Sequence, residues 1–372
     1  MFSSPHATNL SSALPRDSAR GSRTARPCGP RETPAVASAP LESRARGGDD
    51  ARMDLSPSVY EHAAAVIGRT PWEVSRDPDL LFAGHAEAYR LYRHTPIMPG
   101  IDIYNLEAEA YGAKVENPGG TGIPAIARPT CRSAAELLDL KPLNPRTDGR
   151  IPMAIRVAAR LAKAFPETQV RVPVSGPFSI ASNLVGFESL LCDVAARPDV
   201  VAAALMHLVR GQLAFAEEIR QQGVDIAFFE SAACPPLLSP ANFRRLELPA
   251  LKALLGGMAE ILGHPVPCII GGDTAPILEA MLETGTSYVV APYETNQEVF
   301  VRKIWDRTDI RIRVNTGSEI ISRGPWEAIR ADAERILRLV AGRPNVCMGT
   351  GAVPYETPPE NVLRLMAYVR ER

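Results

Sequence analysis

Residues 287–317, SYVVAPYETNQEVFVRKIWDRTDIRIRVNTG, hold one complete structural unit and the opening of the next. The apolar run YVVA ends in a polar tip, PYETN, which leads into QEVFVRKI, where apolar residues recur at helical spacing. A second strand-like run, IRIRV, then ends in NTG. Two strands joined through a helix need a crossover connection, so they pair in parallel.

The same unit recurs on both sides of this stretch. VRVPVSG (170–176), DIAFFES (225–231), PCIIGG (267–272) and NVCMGTG (345–351) read as further strands with Gly, Ser or acidic tips. Between them, ANFRRLELPALKALLGGMAEIL, APILEAMLETG and PWEAIRADAERILRLVAG carry helical periodicity, and PPENVLRLMAYVRER closes the chain. PIMPGID (96–102), followed by the helix-like LEAEAYG, adds a seventh candidate strand. A doubly wound open sheet would usually announce a GxGxxG turn after its first strand, and none occurs in that context. The sequence therefore predicts an α/β fold, a single-domain (β/α)8 TIM barrel over residues 53–372, with chemistry at the C-terminal ends of the strands.

Residues 1–52 stand apart. SSALPRDSARGSRTARPCGPRETPAVASAP is rich in Ser, Pro, Ala and Arg and has almost no large apolar residues, so it is predicted to be a disordered N-terminal extension. Its Arg-rich, acid-poor character also suits a transit peptide, and Met53 stands as an alternative start.

Charge and cysteine usage narrow the class. Lys and Arg number 41 against 42 Asp and Glu, too even a balance for a nucleic-acid or anionic-membrane surface. The sequence shows no continuous apolar run of the roughly 18 residues that cross a bilayer. Six cysteines without a CxxC pair suit free thiols in a reducing compartment. A cytoplasmic protein with no nucleic-acid or membrane partner is expected.

The strand tips supply the candidate site. Asp102 lies between a strand-like and a helix-like run, where it could enter a pocket or cap a helix. Glu230 ends DIAFFE, where apolar surroundings would raise a carboxyl pKa and suit it to general-base work. Asp273, Tyr293, Glu294, Asn315, Ser318 and Thr350 occupy comparable tips, and each alone could be a turn or capping residue. His85 and His94 precede the first strand read from the sequence and could border the pocket. No HxxxH, HxC, GxSxG or P-loop pattern occurs, which lowers the expectation of a metal site, a serine hydrolase or a nucleotide phosphotransferase.

From about Thr70 to the C-terminus the chain resembles the uroporphyrinogen decarboxylase superfamily, which includes cobamide-dependent methyltransferases. The likeness is carried by GIDIYNLEAEAYGAKV (100–115), VSGPFSIASNLVG (174–186), GVDIAFFESAACPPLLSPANFRRLELPALKAL (223–254), GGDTAPILEAMLETG (271–285) and GTGAVPYETPPENVLRLM (349–366). The resemblance implies the barrel. It also implies that Asp102 corresponds to the tip aspartate with which decarboxylases stabilise pyrrole nitrogens, with Tyr104 beside it. The decarboxylase tyrosine falls at Asn183 and the histidine of its GHG motif at Thr350. The arginine motif that binds substrate carboxylates in decarboxylases has no counterpart.

The methyltransferase branch binds zinc through an HxC pair and a third cysteine, and those positions fall at Ile269, Gly271 and Thr350 or Gly351. Cys268 and Cys347 lie nearby, but Cys268, and Cys347 in the Thr350 register, are an odd number of residues away, on the opposite face of a strand. The expectation is thus a barrel closer to the methyltransferases with no zinc site and no tightly bound cofactor. Methylcobamide would be its co-substrate, a corrinoid protein its partner, and a homodimer its assembly. Asp102, Glu230 and Asn315 would be catalytic, and Tyr104, Asn183, Asp273, Tyr293 and Thr350 would bind substrate. The alternatives are a cofactor-free decarboxylase of a tetrapyrrole or other carboxylic acid, and a non-catalytic tetrapyrrole or corrinoid carrier.

Overall fold

The computed structural model of the chain describes residues 53–231 and 233–372; the predicted N-terminal extension lies outside the described residues. Strand β1 (Asp54–Ser58) opens the fold, and the Val115–Glu116 (β2) and Ala125–Ile126 (β3) pair forms an antiparallel ribbon of its own. The remaining strands are β4 (Arg171–Ser175), β5 (Asp225–Glu230), β6 (Ile269–Ile270), β7 (Tyr288–Ala291), β8 (Arg311–Thr316) and β9 (Val346–Ala352).

Two parallel sheets, ordered β1-β9-β8-β7 and β4-β5-β6, make most of a ring. A parallel bridge between Cys268 and Val289 joins β6 to β7, and another between Ile97 and Val170 adds the Ile97 segment beside β4. The Ser56 hydroxyl donates to the Thr95 carbonyl at 2.8 Å, which brings β1 against that segment. Eight parallel segments thus follow one another around the ring in chain order, a TIM barrel. The seven strands read from the sequence are all present, with PIMPGID reduced to the bridge at Ile97. The eighth is DLSPS, whose register sets Leu55 opposite Met348.

The helices form for the reasons visible in the sequence. In Gln297–Ile304 the buried residues are Gln297, Phe300, Val301 and Ile304, the i, i+3, i+4, i+7 stripe of a one-sided helix, and the Asn296 side chain accepts from the Val299 N–H at 3.0 Å. Trp326–Leu339 repeats the stripe with Ile329, Asp332, Ala333 and Ile336. Thr70 and Glu73 close a reciprocal capping box at the start of Pro71–Arg76. Pro198–Gln221, at 24 residues, is long and apolar enough by composition to span a membrane, although charged and polar residues interrupt it; half of its most apolar window is buried within the protein.

Alternation along the strands sorts side chains into two cores. Val172 and Val174, Ile226 and Phe228, Ile312 and Val314, and Met348 join the large core shared with the helices. Ala227, Phe229 and Ile269 instead join Tyr60, Met98, Ile103 and Tyr104 in a separate small cluster inside the ring.

Candidate active site

The barrel interior is divided into an apolar and a polar wall. On the apolar wall the Phe229 ring meets Tyr60 edge-on at 5.9 Å and Tyr104 at 6.5 Å. The Tyr60 hydroxyl donates to Met98 Sδ at 3.8 Å. Burial holds both tyrosine hydroxyls well above their ordinary pKa, so they stay protonated donors.

The polar wall is β8. Arg311 and Arg313 share the inward face with Asn315. Arg311 donates to Asp54 at 3.1 Å. Arg313, only 8% exposed, donates from Nε to Asn315 Oδ1 at 2.9 Å. Its Nη2 donates to the Ser56 carbonyl, the Ser58 hydroxyl and the Thr350 carbonyl at 2.8–3.0 Å. The tip sequence GTG accommodates this guanidinium. A Cβ at Gly349 would stand 1.8 Å from Arg313 Nε, and one at Gly351 would stand 2.1 Å from Ser318 Oγ.

Of the residues expected to carry chemistry, Asn315 lies on this wall and Asp102 and Glu230 do not. The Asp102 carboxylate is gripped by Arg150, Oδ1 from Nη1 at 2.8 Å and Oδ2 from Nη2 at 2.6 Å, and also accepts from Asn105. Its side chain is 1% exposed. Arg150 also binds Glu109, which Arg76 holds in turn, so Asp102 belongs to an ion-pair network at the start of the helix Ile151–Ala164.

Glu230 shares the parity of Ile226 and Phe228, so it faces the helix layer. It is fully buried, accepting from the Ser179 hydroxyl and from the Ser231 N–H. A Cβ at Gly176 would overlap its carboxylate.

Glu230 has two buried carboxyl neighbours, Glu107 and Glu247, that do not stand among the strand-tip candidates. Burial, and after it Glu230, holds Glu247 well above the carboxylate range. Glu247 ends a π-helical turn, Phe243–Glu247, of the kind that re-aims a helical side chain. Glu107 accepts from the Ser175 N–H at 2.7 Å and from its hydroxyl at 2.9 Å, yet burial raises it to about 7. No lysine, arginine or histidine forms an ion pair with Glu107 or Glu247 among the described residues.

The expected substrate-binding residues divide likewise. Thr350 shares the outward parity of Met348, and its hydroxyl accepts from the Ser58 N–H at 2.9 Å; only its carbonyl meets Arg313. Asn183 donates to the Tyr104 carbonyl at 2.6 Å, so it positions a residue of the apolar wall. Asp273 accepts from the Thr295 hydroxyl at 2.8 Å, and Tyr293 is an exposed ring under Arg335. In the glycine pair beside them, Gly272 has φ +83°, and its missing Cβ makes room for Cys234 Sγ.

His85 and His94 are buried outside the ring. His85 accepts from the Gly100 N–H, and burial lowers the two imidazoles to about 4 and about 3.

The zinc-ligand positions offer no donor. Ile269 is part of the apolar wall, Gly271 and Gly351 have no side chain, and Thr350 is turned outward. Cys268 lies in the helix-facing core, where burial pushes its thiol up to about 12. Cys347 shares the inward face with Gly349 and Gly351 but sits lower in the ring, beside Tyr288 and the Ile312 carbonyl. Among the described residues no three His, Cys, Asp or Glu side chains gather as a metal site. The residues present do not fit the zinc that the methyltransferase likeness would imply.

Residues 56–372 match the family profile described as "Uroporphyrinogen decarboxylase (URO-D)". The chain is 26% identical over 222 residues to the methylcobamide:CoM methyltransferase MtaA of Methanosarcina barkeri, covering 59% of this chain and 63% of that protein. It thus spans less than two thirds of the length of that relative. It is 25% identical over 278 residues to the uroporphyrinogen decarboxylase of Granulibacter bethesdensis, covering 71% of this chain and 76% of that one. A solved methyltransferase from Methanosarcina mazei superposes with a TM-score of 0.73 at 22% identity, covering 86% of this chain and 94% of that chain.

Proposed function

The chain belongs to the uroporphyrinogen decarboxylase family, and from that premise we propose that it is a methyl-transfer barrel working without a zinc-activated thiol. Methylcobamide, carried by a corrinoid protein, is the co-substrate in this reading; it supplies the methyl group and leaves as the demethylated cobamide. The substrate lies between the apolar wall of Phe229, Met98 and Ile269 and the polar wall of Arg313 and Asn315.

The observation that carries this reading is the fate of the two ancestral catalytic sets. A thiol acceptor ordinarily needs its pKa lowered by a metal, and Ile269, Gly271 and Thr350 present no ligand inward. A pyrrole-stabilising aspartate must reach the substrate, and both Asp102 oxygens are held by Arg150. The likeness to a methylcobamide-dependent enzyme therefore supports methyl transfer, and the donor set supports a substrate other than a thiol. This chain's own part is to orient the substrate and exclude water. Asn315 fixes the Arg313 fork, and the protonated Tyr60 and Tyr104 hydroxyls are donors at the edge of the apolar wall.

The test is incubation with methylcobalamin and a panel of non-thiol methyl acceptors, followed through the corrinoid absorbance with and without chelator. Demethylation that a chelator leaves unchanged supports the reading. Unchanged spectra across the panel, or release of carbon dioxide from uroporphyrinogen, would replace it with a carrier or a decarboxylase.

A further inference from the structure

Arg313 is a buried guanidinium whose acceptors among the described residues are all neutral. Asn315 Oδ1, the Ser58 hydroxyl and the carbonyls of Ser56 and Thr350 take Nε and Nη2. Asp54, a carboxylate on the same inward face, is committed to Arg311. Nη1 donates to nothing among the described residues and is not sealed from solvent. An arginine stays charged in any protein environment, and a charge in a low-dielectric interior is costly until an opposite charge meets it.

Arg343 shows what a purely structural arginine looks like in this fold. It too is buried, but it lies outside the ring, and both its Nη atoms donate to carbonyls, of Pro344, Asn345, Ile304, Arg307 and Ile310. Ile304 is the last residue of the helix Gln297–Ile304, and the carbonyls of Arg307 and Ile310 lie in the turn beyond it, so this guanidinium sits at a helix C-terminus, where negative potential concentrates. Arg313 has no such terminus. Ser58, whose hydroxyl accepts from Arg313 Nη2, lies two residues before Tyr60. Tyr60 in turn is stacked edge-on against Phe229, so the cation adjoins the apolar wall.

We infer that Arg313 seats the carboxylate of a small organic acid whose flat apolar body lies on Phe229, Met98 and Ile269. The inference deepens the reading above in that it takes the barrel interior as the substrate site, but it does not depend on methyl transfer. A planar fork with an unused N–H edge matches a carboxylate, and the aromatic wall matches a ring-sized body. A fully polar oxyanion would leave that wall wet, and a neutral ring would leave the guanidinium uncompensated.

Calorimetric titration of the full chain, with no methyl donor present, separates these possibilities with three probes. Benzoate carries both features, benzamide keeps the body without the charge, and inorganic phosphate keeps charge without the body. Benzoate is expected to bind more tightly than either by about tenfold or more, the worth of one charge-assisted hydrogen bond. In Arg313→Gln that preference disappears while benzamide affinity holds. Asn315→Asp is the second variant, since it places a carboxylate on Nε and neutralises the guanidinium in place; it too should bring benzoate to the benzamide level. Absence of benzoate binding, equal binding of benzoate and benzamide, phosphate binding as tightly as benzoate, or a preference that survives in the variants would overturn the assignment. Because no corrinoid enters the titration, a failed methyl-transfer assay leaves the assignment standing.

Discussion

Replacing Glu107 by Gln should make the protein markedly more tolerant of high pH. Glu107 is 0% exposed, and burial raises its pKa from 4.5 to about 7. A raised carboxyl pKa means that the folded state keeps a proton the unfolded chain gives up. From pH 4.5 to about 7 the unfolded state therefore binds fewer protons, and stability falls as pH rises. The difference of about 2.5 pH units at roughly 1.4 kcal/mol each amounts to about 3 kcal/mol of stability, all of it present below pH 4 and nearly all of it lost by pH 8. Glutamine keeps an acceptor for the Ser175 N–H and cannot ionise. Urea unfolding of wild type and Glu107→Gln at pH 4, 6 and 8 should show their stability difference moving by about 3 kcal/mol in favour of the variant. A difference that stays flat across this range would mean that Glu107 ionises like an exposed acid, and the argument from burial would fail.

Arg150→Met leaves the buried Asp102 carboxylate without its cation and should cost about 3–5 kcal/mol; thermal melting should show the loss, and adding Asp102→Asn should restore part of it. Asp102→Asn alone should fold and retain methyl transfer if Asp102 is structural, and loss of turnover with a native melting curve would return it to the chemistry. Gly349→Ala pushes a methyl into the Arg313 guanidinium and should destabilise by about 1–3 kcal/mol. Gly351→Ala should cost less, because the Ser318 hydroxyl it meets can turn away; equal melting temperatures for the pair would refute the packing argument.

The ring was legible in the sequence because each strand ends in a tip and each helix carries its own stripe. β1 was not, since DLSPS spends its serine hydroxyls on polar partners, Ser56 on the Thr95 carbonyl and Ser58 on Arg313, and so lacks the apolar signature of a buried parallel strand. Glu230 was located correctly at a tip but not by face. AFF is buried on both sides, so the sequence gives no alternation from which to tell inside from outside. The pairing of Asp102 was hidden for another reason: its partner Arg150 is 48 residues away, and no local pattern announces it. The signal for Arg313 was present. In IRIRVN the arginines fall at even offsets from Asn315, a strand-tip candidate, so period-two reading places both on its face. Glu247 became visible only through the π-helical turn that rotates it off the ordinary helical register.

Seven of the eight joints in the ring are main-chain ladders or bridges. Among the described residues, the eighth is a serine hydroxyl on a carbonyl, Ser56 to Thr95. The barrel is therefore built like a split washer, and breathing should concentrate at the gap, with faster amide exchange in the Thr95–Ile97 segment than in β8. Tyr60 and Met98 reach toward each other across that same gap. A guest settling on them would tighten the washer, so occupancy of the interior should register as slowed exchange at the joint as well as in the pocket.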